Sequence, residues 1–175
     1  AKAGDWVYVT GEVGDAALAL QMVFDNVQVE EVCKDQLLNK LNYPKPRVLA
    51  GQALKEYATA AIDISDGLIV DLAHICERSQ VGANIVLDSL PLSQAMTDTL
   101  SKEDAAKLAL TGGDDYELLF TVSEDNKVGM ETALANLGVK TTCIGQLNGS
   151  DKITTTLDSK PIQIDAKGFE HFNDQ

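Results

Sequence analysis

The 175 residues suffice for one domain of ordinary size, and 45% hydrophobic with 23% charged residues marks a globular chain. A formal charge of -13, from 27 acids against 14 bases, argues against nucleic acid, whose binding draws on clustered Lys and Arg. No apolar run approaches membrane-spanning length, so neither nucleic acid nor membrane is an expected partner. Cys33, Cys76 and Cys143 are far apart and form no C-x-x-C pair, which reads as buried thiols in a reducing, cytoplasmic compartment. No signal peptide is visible, and a first residue of Ala1 reads as a piece of a longer chain.

In chain order, Asp5 to Thr10 is β-rich and stops at Gly11, which predicts a strand. Gly14 to about Val27 carries apolar residues at helical spacing, with Asp15 as a candidate cap. A second helix is predicted from about Glu31 to Leu41. Tyr43-Pro44-Lys45-Pro46 is a connector, because proline breaks the helical hydrogen-bond ladder. Pro46 opens a third helix to about Tyr57, with Leu49, Ala53, Leu54 and Tyr57 as its apolar stripe. Across Ala61 to Leu72 the apolar period changes from two to about 3.6, so the stretch reads as strand, tight turn and helix, continuing to about Ser79. Asn84 to Leu87 predicts a short strand. Pro91 and Ser93 open a short helix to about Leu100, and Ser101 with Asp104 resembles a capping box before a helix to Leu110. From Asp114 to Val122, Tyr116, Leu118, Phe120 and Val122 alternate onto one face, which predicts a strand with Tyr116 in the core. A helix from about Asn126 to Leu137 ends at Gly138. Thr141 to Leu147 and Ile153 to Leu157 flank Asn148-Gly149 and predict a hairpin. Strands and helices alternate without strict repetition, so the expected class is α/β (α+β): a mixed β-sheet packed with helices, in a single domain spanning 1–175.

The chemistry is concentrated in two stretches. Ile62 and Ile64 face a core, leaving Asp63 and Ser65 on the other side and Asp66 at the turn beside a helix start. Strand ends of this kind are where α/β proteins place ligands. A plain reading makes Ser65 or Asp66 a helix cap, worth about 1 kcal/mol. Asp63 needs a different account, since a carboxylate in an apolar strand is costly unless it is solvated, paired or bound to a cation. The second stretch, Asp114, Asp115 and Glu117, follows Gly112-Gly113, which lets the backbone turn sharply. Its plain reading is a helix stop followed by a solvated strand start. Neither common glycine-based phosphate cradle is present. What the chain offers is oxygen donors, which suit Mg²⁺ held against substrate phosphates. The pattern is metal-bridged nucleotide binding.

Ala61-Ile62-Asp63-Ile64-Ser65-Asp66-Gly67-Leu68, Gly112-Gly113-Asp114-Asp115-Tyr116-Glu117-Leu118 and Lys167-Gly168-Phe169, in this order, resemble the carboxy-terminal half of the thiamine-monophosphate kinases. Gly4 to Gly11 and the Pro46-Arg47 helix resemble it too, and the likeness covers essentially the whole chain. The first motif is shared more loosely across the aminoimidazole-ribonucleotide-synthetase-like superfamily. The resemblance implies the carboxy-terminal domain fold of that superfamily and transfer of the γ-phosphoryl of ATP to thiamine monophosphate, giving thiamine diphosphate. It implies Asp63 and Asp66 as catalytic metal ligands for Mg²⁺ and Ser65 as an ATP contact. It also implies Asp114 as a substrate contact, where the family usually has a Glu, and Phe169 as an aromatic packed on thiamine. The family's amino-terminal domain, which supplies further ligands and the homodimer interface, is absent, so the fragment alone is expected to be inactive. Two other readings stand: a different ATP-dependent enzyme of the same superfamily, and a non-catalytic structural or cation-binding domain.

Overall fold

In the structure, a computed structural model, residues 1–163 are described. Phe169 lies outside the described residues. The elements are β1 (Trp6–Thr10), α1 (Asp15–Val23), α2 (Glu31–Asn42), α3 (Val48–Leu54), β2 (Ala58–Asp63), α4 (Leu68–Ser79), β3 (Gly82–Val86), α5 (Gln94–Thr99), α6 (Lys102–Thr111), β4 (Leu118–Val122), α7 (Lys127–Asn136), β5 (Thr141–Asn148), β6 (Ile153–Leu157) and β7 (Lys160–Ile162). The strands form one seven-stranded sheet in the order β2-β4-β1-β5-β3-β6-β7. Its described pairs are antiparallel except β3 with β6, so the sheet is mixed, as the sequence predicts.

Successive side chains on a strand point to opposite faces, and here both faces are covered. Val7 and Val9 of β1 and Leu119 of β4 join α1, α4 and α6 in the larger core, with Leu68, Leu72 and Ile75 of α4. Tyr8 and Phe120, one residue out of step, enter a smaller core under α3 and α7 with Leu54, Met130 and Leu134. There the two rings stack with centroids 5.6 Å apart, and the Tyr8 hydroxyl donates to Glu131 Oε1 at 2.7 Å. Burying such a side chain is worth about 1.5–3 kcal/mol, so the sheet is held from both sides.

Several sequence expectations need correction. The predicted hairpin does not form, because β5 already has β1 on one edge and β3 on the other. The chain does reverse after Asn148, whose Oδ1 accepts from the Ser150 N–H at 2.8 Å. It then passes β3 and pairs parallel on its far side. Helix α1 stops at Val23, short of Val27. Helix α3 spans only Val48–Leu54, and Leu49, assigned to its apolar stripe, is 64% exposed. The capping box is half right: Ser101 Oγ accepts from the Asp104 N–H at 3.2 Å. The Asp104 carboxylate, one methylene shorter than Glu, takes the Ser101 hydroxyl at 2.6 Å. Of the thiols, Cys76 is buried, whereas Cys33 and Cys143 are half-buried.

Candidate functional site

The two acidic stretches meet at the β2 edge of the sheet. Strands β2 and β4 pair antiparallel, with Asp63 opposite Leu118, and the pairing continues past both strand ends. The Ile64 N–H donates to the Glu117 carbonyl at 2.8 Å, the Tyr116 N–H to the Ile64 carbonyl at 2.9 Å and the Asp114 N–H to the Ser65 carbonyl at 3.0 Å. Asp114 therefore lies against the Ser65–Asp66 turn although about fifty residues separate them in sequence.

Two glycines permit this approach. Gly67, at the N-cap position of α4, has φ 122°, and a Cβ there would sit 3.0 Å from the Thr111 carbonyl oxygen. A Cβ on Gly113 would meet the Ser65 carbonyl oxygen at 2.4 Å. The Gly112-Gly113 pair thus serves close contact rather than an unusual turn, and Gly112 itself is extended at φ -75°. The left-handed conformations fall on Asp114 (φ 65°) and Tyr116 (φ 50°) instead. That is uncommon for Asp and costly for a bulky residue.

The kinked backbone delays β4 to Leu118 and turns Tyr116 out of the core to 39% exposure, against the alternation read from sequence. Its hydroxyl donates to Asp114 Oδ1 at 3.2 Å. The phenol pKa is raised above its ordinary value, first by the charge of Asp114 and this hydrogen bond, then by burial, Asp63 and Asp66. All three carboxylates thus act on one hydroxyl. Asp63 is exposed, while Ser65, Asp66 and Asp114 are half-buried. Among the described residues no salt bridge reaches Asp63, Asp66 or Asp114. Carboxylate oxygens free of salt bridges are donors of the type a hard divalent cation takes, although the described ligand atoms that lie within 4.8 Å of one another are those of Asp66, Asp71 and His74 and include neither Asp63 nor Asp114.

Neither Ser65 nor Asp66 caps α4, for no side chain accepts at its N-terminus in the capping position. A residue the sequence reading passed over does related work: Asp71, only 2% exposed, accepts from the Ser65 and Asp66 N–H groups through Oδ2 at 3.0 and 3.2 Å. Burial pushes its carboxyl pKa up, and these backbone bonds partly offset the rise. Asp66, Asp71 and the exposed His74 offer ligand atoms within 4.8 Å of one another. Helical i,i+3 spacing of Asp71 and His74, one turn after the motif, was the available signal.

Asp115 and Glu117, grouped with Asp114 as oxygen donors from sequence, are committed elsewhere. Asp115 Oδ2 accepts from the Gly14 N–H at 2.7 Å and serves the N-terminus of α1. Asp15, the expected cap, instead accepts the Ser93 hydroxyl at 2.5 Å. Burial raises the Asp115 pKa to about 7, with Asp15 and Glu117 adding to the rise and the Gly14 and Ala16 N–H groups opposing it. Glu117 is 5% exposed and takes Arg47 through two bonds, from Nε at 2.7 Å and Nη2 at 2.6 Å, plus the Thr10 hydroxyl at 2.6 Å. The pair holds the guanidinium still more firmly protonated. A cleft of about 840 Å³ between α2 and the Tyr43–Arg47 connector is lined by Lys40, Lys45, Arg47, Asp115 and Glu117, and its lining includes none of Asp63, Ser65, Asp66 or Asp114. No helix among the described residues is long and apolar enough to cross a membrane.

Comparison with known proteins places the chain in a family. The chain is 45% identical over 174 residues to the thiamine-monophosphate kinase of Escherichia coli (strain K12), covering 98% of this chain and 54% of that protein. The crystal structure of thiamine-monophosphate kinase from Stenotrophomonas maltophilia K279a superposes with a TM-score of 0.83 at 36% identity, over 93% of this chain and 52% of that one. A structure of AaThiL complexed with AMPPCP and TMP superposes with a TM-score of 0.77 at 29% identity, over 98% of this chain and 52% of that one. The chain therefore spans about half the length of the curated relatives it matches. The family described as AIR synthase related protein, C-terminal domain, matches residues 2–158, and the chain belongs to that family.

Proposed function

We propose that this chain is the carboxy-terminal half of a two-domain, ATP-dependent kinase that phosphorylates thiamine monophosphate to thiamine diphosphate. The observation that carries the reading is the 45% identity over 98% of this chain to a thiamine-monophosphate kinase. The edge shared by Asp63, Asp66 and Asp114 supports it, and so does the related AaThiL structure, which holds AMPPCP and TMP. In this proposal Asp63 and Asp66 hold Mg²⁺, Ser65 contacts ATP, Asp114 contacts the substrate and Phe169 packs on its thiamine part. The amino-terminal domain and the homodimer belong to the complete protein, which acts in the cytoplasm without nucleic acid or membrane. This half alone is inactive.

Phosphoryl transfer demands positioning and charge neutralisation more than covalent help from the protein. Mg²⁺, when bound, neutralises phosphate charge that this acidic surface would otherwise repel. The chain's own contribution is rigidity. Gly67 and Gly113 allow the two stretches to touch, and Tyr116 orients Asp114 through its hydroxyl. The accepting phosphate oxygen is already ionised near neutral pH, so no protein base and no phospho-enzyme are needed. The test is thiamine diphosphate formation by the complete protein from ATP, Mg²⁺ and thiamine monophosphate. Asp63→Asn is expected to abolish it while the protein stays folded. Near-normal activity of that variant, or a covalent phosphate trapped on the chain, would sink the proposal.

A further inference from the structure

We infer that Asp71 is a positioning residue for the Ser65–Asp66 turn, and that its negative charge strengthens the hold of that turn on a divalent cation. The cation part of this inference rests on the function proposed above; the positioning part rests on geometry alone.

A single oxygen of Asp71 gathers the N–H groups of two consecutive residues, at 3.0 and 3.2 Å. Those residues are the two to which the proposed function gives an ATP contact, Ser65, and a Mg²⁺ ligand, Asp66. Asp71 also sits in the first turn of α4, where the helix dipole favours an anion. Yet its side chain reaches back past Gly67 to the turn, rather than accepting at the capping position. Gly67, at φ 122°, cannot by itself dictate the path of the chain before it, because glycine tolerates many conformations. Asp71 removes that freedom.

The charge calls for its own account. Asp71 is 2% exposed, and no described Lys or Arg forms a salt bridge with it. A buried carboxylate without a cation is costly, and Asn would fill the same space and accept the same bonds at lower cost. Asp66 and Asp71 offer carboxylate oxygens within 4.8 Å of one another. A buried anion beside a metal-ligating carboxylate strengthens cation binding through space, as outer partners of metal ligands do.

The test separates hydrogen bond from charge. Asp71→Asn keeps an acceptor oxygen and removes the charge, whereas Asp71→Ala removes both. In the complete protein, Mg²⁺ affinity is measured by calorimetry in the presence of ADP, and amide hydrogen exchange is followed at Ser65 and Asp66. Asp71→Ala is expected to speed exchange at both amides and weaken Mg²⁺ by about 10- to 100-fold. Asp71→Asn is expected to keep exchange slow, weaken Mg²⁺ by a smaller factor, and recover kcat when Mg²⁺ is raised. Unchanged exchange and unchanged Mg²⁺ affinity in Asp71→Ala would overturn the inference. Should that variant fail to fold, wild-type Mg²⁺ affinity in Asp71→Asn would overturn the role of charge. A wild-type protein that binds Mg²⁺ with ADP but leaves thiamine monophosphate untouched would overturn the proposed substrate and not the role of Asp71. A wild-type protein that binds no Mg²⁺ would overturn the proposed function and the cation part of this inference, while exchange at Ser65 and Asp66 in Asp71→Ala would still decide the positioning part.

Discussion

Asp63, Asp66 and Asp114 have the same chemistry as Asp115 and Glu117, yet the two groups live in opposite settings. The first three share an edge with no described salt bridge. The other two sit a few residues away, one serving the N-terminus of α1 and one clasped by Arg47 and Thr10. The strained backbone at Asp114 and Tyr116 divides them. A run of acids is therefore not one site: the ones clasped by a helix N-terminus or a guanidinium hold the frame, and the others, with only the Tyr116 hydroxyl on Asp114, remain available to a ligand.

Breaking the frame should cost far more stability than altering the uncommitted acids. Glu117→Ala leaves the Arg47 guanidinium and the Thr10 hydroxyl without their shared acceptor. Unfolding in denaturant should show a loss of about 3 kcal/mol. A Gly113→Ala substitution attacks the contact between the stretches, since its Cβ would press on the Ser65 carbonyl oxygen at 2.4 Å. A loss of about 1–3 kcal/mol is expected from such overpacking, together with faster amide exchange at Asp114 and Tyr116.

Asp115 provides a pH signature of the frame. Its folded pKa lies near 7, raised from 3.8 mainly by burial. The folded protein therefore holds this proton more tightly than the unfolded chain does. Its contribution to stability is greatest below the unfolded value and declines as pH rises from 3.8 towards about 7. Asp115→Asn, which stays neutral, should gain melting temperature relative to wild type across that window, with a constant difference above it. A constant difference throughout would mean that Asp115 does not titrate there. The smallest effect on folding is expected from Asp63→Asn, within about 0.5 kcal/mol of wild type, because the exposed Asp63 makes no described salt bridge. Loss of folding in that variant would erase the contrast between the two groups.

Much of the fold was legible in residue order. The period change from β2 to α4, the stops of α2, α4, α6 and α7 and the turn at Asn148 follow from local rules that hold wherever the segment ends up. The direction change after β5 was legible too, but not its destination, since whether an edge of β5 is free depends on strands far away in sequence. Tyr116 was misjudged for a related reason: alternation assumes a regular strand, and contact with the Ser65–Asp66 turn breaks that regularity.

For the candidate site, the sequence by itself supplied the donor types, their glycine punctuation and the family likeness, because these are properties of residue identity and spacing. Only the tertiary structure decided which acids are committed to the frame. That depends on what each carboxylate meets in space: Arg47 for Glu117, the start of α1 for Asp115, the backbone of Ser65 and Asp66 for Asp71, and the Tyr116 hydroxyl for Asp114. A carboxylate's role is set by its partners, and partners brought from distant parts of the chain are not encoded in any local pattern.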